Sequence, residues 1–200
     1  MNLKAKETIN KISAVIIIIA GLINVLAGTI FTISNYSQKN DKFDLDSFLI
    51  ELYFDNLDFA ILFAIAFFIA INAFIKKDLI KPAYMLLTYY SAVLGFITFI
   101  FTFLGLIIMK KEQTSLLVLY IIIYITLLIH GFFQLFSNKI TLAISKIAIC
   151  STVLLVLFND VEKWQSNPVS RVANYIFFIA LAVYTFTIKN KQKLKKGIQV

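Results

Sequence analysis

The chain has little of what small proteins use to cross-link, bend or charge themselves. In 200 residues it carries one cysteine, one histidine, one tryptophan, two prolines and six glycines. The lone Cys150 excludes an intrachain disulfide. A single histidine and a single cysteine cannot build a cysteine–histidine metal cluster. So few prolines and glycines leave no long flexible linkers. Charged residues make up 15% of the chain, against about 25% in an ordinary soluble domain. No P-loop, GxSxG, HExxH or paired-carboxylate pattern occurs, so neither metal nor cofactor is expected.

What is present is apolar. Hydrophobic residues make up 60% of the chain, and the mean hydropathy is +0.86. A soluble domain of this size buries only about 70% of its surface, so this surplus would face water. The composition therefore points to an all-α, polytopic integral membrane protein forming one membrane domain over 1–200. A span needs roughly 20 apolar residues. Six stretches meet or approach that length: 12–33, 57–75, 83–108, 115–136, 140–158 and 171–188. The nearly continuous run from Ser115 to Phe158 is about twice as long as a bilayer requires, so a tight turn is placed at Ser137-Asn138-Lys139. Pro82 fits the first turn of the third helix, and Pro168 sits just before the sixth. The first stretch has a basic start and a small-residue site at Val25-Leu26-Ala27. It runs on to Ile33, however, and is read as a retained helix.

The net charge of +8 is an asymmetry more than a uniform basic character. With the N-terminus inside, twelve basic residues fall in cytoplasmic segments and six in outer ones, while nine of the eleven acids fall outside. The positive-inside rule then puts both termini in the cytoplasm. The expected location is the plasma membrane, and nucleic acid needs no part in the account. The tail lysines Lys189, Lys191, Lys193, Lys195 and Lys196 are placed to attract anionic lipid.

Several faces and polar positions stand out. In the third span Tyr84, Thr88, Ser91, Gly95, Thr98, Thr102 and Gly105 recur at steps of three and four, a stripe suited to close helix packing. Ala14, Ile17, Gly21, Asn24 and Gly28 form a shorter version in the first, and Ala66, Ala70 and Ala73 one in the second. Polar groups collect in the inner third: Asn72, Tyr90, His130, Gln134 and Lys146, with Ser145 beside the lysine. Ionisable groups in a membrane are costly and are functional candidates by default. The sharp reading joins His130, Gln134 and Lys146 around a small cavity. The bland one leaves a packed neutral histidine and a lysine that snorkels to the headgroups. No Asp or Glu lies inside a span; Asp58 is at an edge.

The longest outer loop, 34–56, contains an amphipathic stretch from about 44 to 55 with Asp44, Glu51 and Asp55 on its polar side. It reads as a surface helix covering the bundle, and its acids are also suited to a cationic partner. The lone Trp164 is an interfacial anchor. Ala20-Gly21-Leu22-Ile23-Asn24-Val25-Leu26, followed by a basic inner loop, slightly resembles the membrane module of bacterial lysyl-phosphatidylglycerol synthetases over the first 110 residues or so. The run is apolar and too common to assign the chain to that family. Three function classes follow. The first is a non-catalytic accessory or immunity-type membrane protein, with other membrane subunits as its partners. The second is a small permease, or substrate-binding membrane subunit, using the inner polar residues. The third is a membrane-embedded lipid- or isoprenoid-modifying enzyme with His130 as base.

Overall fold

Apolar runs of this kind can satisfy their backbone in a bilayer only by coiling on themselves. In the computed structural model, which describes residues 3–39, 58–75, 79–108, 111–136, 138–159 and 167–188, they do so. The helices are α1 (Leu3–Lys39), α2 (Asp58–Ile71), α3 (Ile80–Ile108), α4 (Lys111–Gln134), α5 (Lys139–Asn159) and α6 (Pro168–Thr187). No strand occurs among the described residues. Helices α1, α3, α5 and α6 are long and apolar enough to cross a membrane. The apolar stretches Phe59–Ile71 in α2 and Val118–Gln134 in α4 are shorter.

Local chemistry moves several boundaries from their expected places. Helix α1 runs well beyond 12–33, because no proline interrupts it and the Glu7–Lys11 pair, 3.3 Å apart one turn on, supports its first turns. Helix α2 stops at Ile71 rather than 75. There Asn72 Oδ1 accepts the Leu79 N–H at 3.0 Å, tying the end of α2 to the start of α3. At a rise of 1.5 Å per residue, its 14 residues reach only about 21 Å. Helix α6 begins at Pro168 rather than Arg171: the Asn167 side chain caps it by accepting from Val169 N–H at 2.9 Å, and proline occupies the first turn. Helix α4 ends at Gln134 and α5 begins at Lys139, so the chain turns between them, where the turn was expected from the polar cluster; Ser137 itself lies outside the described residues. Asn138 Oδ1 accepts from Ile140 N–H at 3.3 Å and opens α5.

Each helix packs on its neighbours in the chain, and α6 returns to lie along α1. The α1–α6 and α3–α4 seams are the most extensive. On α1 the buried face is the one with small residues: Ala14, Ile17, Gly21, Asn24 and Gly28 are buried. The stripe on α3 also faces a neighbour. Tyr84 and Ser91 are buried, and a Cβ added at Gly95 would lie 3.3 Å from Tyr124 Cβ on α4. Two of its hydroxyls bond their own helix, Thr88 and Ser91 donating to the Tyr84 and Leu87 carbonyls at 2.8 Å. The core centres on Ile17, Ile69, Tyr84, Leu87, Phe177 and Tyr184, with Phe59 edge-on to Phe177 at 5.1 Å. The outer surface is covered with large apolar side chains: Ile147 is 68% exposed, Ile140 67% and Phe96 65%. A surface of this kind is compatible with a lipid environment and would be unfavourable in water.

Candidate functional site

The α4–α5 hairpin sets the geometry of the one histidine. Because the chain reverses between α4 and α5, His130 and Ser145 come level on adjacent antiparallel helices. His130 Nδ1 lies 3.0 Å from the Ser145 carbonyl oxygen and 2.9 Å from Ser145 Oγ. A carbonyl only accepts, so Nδ1 carries the ring proton and donates to both oxygens. The Ser145 hydroxyl proton is then free for Gln134 Oε1 at 2.8 Å or the His130 carbonyl at 3.1 Å. Nε2 keeps its lone pair. It is buried without a hydrogen-bond partner, as is the Tyr84 hydroxyl, whose ring stands edge-on to the imidazole at 5.4 Å. Both residues are 0% exposed.

This arrangement has a direct chemical consequence. A histidine that donates to a serine does not deprotonate it, so His130 does not activate Ser145 as a nucleophile. The histidine, serine and glutamine together join two helices by side-chain bonds, each worth about 0.6 kcal/mol on average in a membrane. One more rung lies further along the same seam: Thr152 Oγ1 donates to Thr126 Oγ1 at 2.8 Å, while Thr126 Oγ1 donates to the Ile123 carbonyl of its own helix at 2.8 Å.

The other expected inner-side residues do not gather with His130. Lys146, next to Ser145 in sequence, projects from a different face of α5, and its Nζ lies 5.2 Å from the centre of the Phe186 ring on α6. Adjacent helical residues diverge by about 100°, so only one of the pair can face α4. Asn72 sits at the end of α2 on the Leu79 N–H. Tyr90 is edge-on to Tyr124 at 6.4 Å across the α3–α4 seam. Asp44, Glu51, Asp55 and the tail lysines lie outside the described residues.

A second polar cluster was not expected from the sequence. On the α1–α6 seam, Asn24 Nδ2 donates to Asn174 Oδ1 at 3.3 Å, and the Ser170 hydroxyl donates to Asn24 Oδ1. Above it Asn167 Nδ2 donates to the Ala27 carbonyl at 3.2 Å, and at the other end Asn10 Nδ2 donates to Thr187 Oγ1 at 3.3 Å. The available signal was the four-residue spacing of Ser170 and Asn174, which puts both on one face of a helix. Beside this seam α1 and α6 frame an apolar groove of about 560 Å³, lined by residues such as Ile16, Ile23, Val169 and Ile176. Comparison of the chain with protein-family models, with curated proteins and with solved structures finds no match in any of the three.

Proposed function

We propose that the chain is a six-span plasma-membrane protein with both termini in the cytoplasm, acting as a non-catalytic accessory or immunity-type protein. The observation that carries this reading is how its interior polar side chains are used. His130, Ser145 and Gln134 bond one another, as do Asn24, Asn174 and Ser170, and both sets sit at seams between helices. In lipid, such bonds hold helices together where the hydrophobic effect cannot. An enzyme or permease would draw on the same groups, but Nε2, the imidazole nitrogen with the free lone pair, is wholly buried beside Tyr84, and Ser145 is engaged at the helix seam; both facts count against those readings. On this reading, contacts with other membrane subunits fall to the acidic 44–55 segment, and contacts with anionic lipid to the Lys189–Lys196 tail.

Orientation is tested with cysteines placed at Ser47 and Lys193. The native Cys150 lies within α5, near the middle of a span, so background labelling by a water-soluble maleimide should be low. In intact cells Ser47→Cys is expected to label, and Lys193→Cys only after permeabilisation. The reverse pattern would overturn the orientation. The functional role is tested in cells lacking the gene. A chain with Asp44, Glu51 and Asp55 all changed to amides is expected to lose the ability to restore the wild-type trait. His130→Leu combined with Gln134→Leu, at matched membrane level, is expected to restore it. Loss of the trait in the second variant and retention in the first would point to a site inside the bundle.

A further inference from the structure

Lys146 is a cation on the wall of an apolar helix. Seven residues separate it from the first residue of α5, about 10 Å along the axis. Its ammonium rests on the Phe186 ring, at 5.2 Å from the ring centre, one residue before the end of α6. A cation over an aromatic face gains only about 0.5–1 kcal/mol at an exposed site, which leaves an ammonium near hydrocarbon largely uncompensated. No carboxylate lies within ion-pair distance of it among the described residues. The carboxylate described at this end of the bundle, Glu7, is already paired with Lys11. Exposed Lys139 opens α5 at the same end, and five more lysines follow α6 in the sequence. The side of the α5–α6 seam that holds Lys146 and Phe186 continues by helical spacing through Cys150, Val183 and Ile179, all exposed and apolar.

The geometry points to a binding site for one anionic phospholipid at this seam, its phosphate on Lys146 and an acyl chain along Cys150, Val183 and Ile179. A net-negative headgroup is preferred over a zwitterionic one because the lysines at this end repel the ammonium of choline. The Phe186 ring faces the Lys146 ammonium at 5.2 Å, so the cation is placed before lipid arrives. This site is distinct from the tail lysines, which the sequence places after α6 and which lie outside the described residues. It rests on the membrane reading above and is independent of the accessory role.

The test uses the full chain in nanodiscs of phosphatidylcholine with a minor fraction of phosphatidylglycerol, followed by native mass spectrometry. Insertion of the wild-type chain is common to every arm, so failure of the membrane reading appears there and not in lipid selectivity. The wild type is expected to retain one phosphatidylglycerol in preference to phosphatidylcholine. Lys146→Gln should weaken that retention about fivefold, the effect of one membrane-surface charge, and Lys146→Arg should keep it. Equal retention by Lys146→Gln and wild type would overturn the proposal, as would equal retention of the two lipids. Inorganic phosphate is added to the detergent-solubilised protein as a separate arm. Stabilisation there that depends on Lys146 would identify a free-anion site and reject the lipid. If Lys146→Gln does not insert, Phe186→Leu reads the same site: retention falls about two- to fivefold if the ring seats the lysine, and is unchanged if the proposal is wrong.

Discussion

Tyr184→Ala is expected to destabilise the bundle by about 3 kcal/mol. Tyr184 is 0% exposed, and its hydroxyl donates to the Ile69 carbonyl at 2.9 Å, joining α6 to the last turn of α2. In a membrane the usual transfer cost of a truncated side chain largely disappears, because lipid is apolar too. The cavity remains. Removing the phenol leaves a void of roughly 100 Å³, which at about 24 cal/mol per Å³ costs roughly 2.4 kcal/mol. The lost hydrogen bond adds about 0.6 kcal/mol. Tyr184→Phe separates the two contributions and should cost only the second. The measurement is reversible unfolding in mixed micelles. A loss below about 1 kcal/mol for the alanine variant would mean that the core closes around the gap, and that Tyr184 does not anchor α2.

The second large effect is expected at Gly131. A Cβ there would lie 2.8 Å from Thr88 Oγ1, 3.1 Å from the Thr88 nitrogen and 3.3 Å from the Tyr84 carbonyl oxygen. Two of these three atoms are backbone, so no rotamer change on α3 makes room. Gly131→Leu must push α3 and α4 apart, at a cost of about 1–3 kcal/mol or more. Because His130 is the preceding residue, the same displacement lifts the imidazole from the edge of Tyr84 and strains its bonds to Ser145. Thr88→Ala removes the closest atom but leaves the backbone, so it should rescue Gly131→Ala only in part. Full rescue would show that the hydroxyl alone sets the helix spacing. Gly21 faces a different obstacle: its added Cβ would strike the Phe63 ring, a side chain and not backbone, itself packed edge-on to Phe67 at 6.4 Å.

The helical class, the turn between α4 and α5 and the small-residue faces of α1 and α3 were legible from composition and spacing alone. Hydropathy locates apolar runs, and a polar triplet such as Ser137-Asn138-Lys139 is where a run can reverse. Helix ends were less legible. Asn72 ends α2 and Asn167 starts α6 through side-chain bonds to backbone N–H groups a few residues away, which no hydropathy window detects. The grouping of polar residues was half legible. Gln134 and His130 share a face, as their spacing implies. The partner on α5, however, is Ser145 and not its charged neighbour, since charge drew attention while helix phase decided the contact. The Asn24–Asn174 pair was hidden for another reason. Its members lie 150 positions apart, and nothing local to either one names the other.

That separation has a consequence in time. Ribosomes add about 5–20 residues per second, so Asn174 follows Asn24 by roughly 8–30 s. For that interval α1 carries an amide whose partner in the finished bundle does not yet exist, and on the membrane reading proposed above no water replaces it. The α1–α6 seam therefore closes only after α6 has been made, although α1 can already pack on α2. A chain cut short before Asn167 would lack both Ser170 and Asn174, and so both side-chain partners of Asn24 on α6.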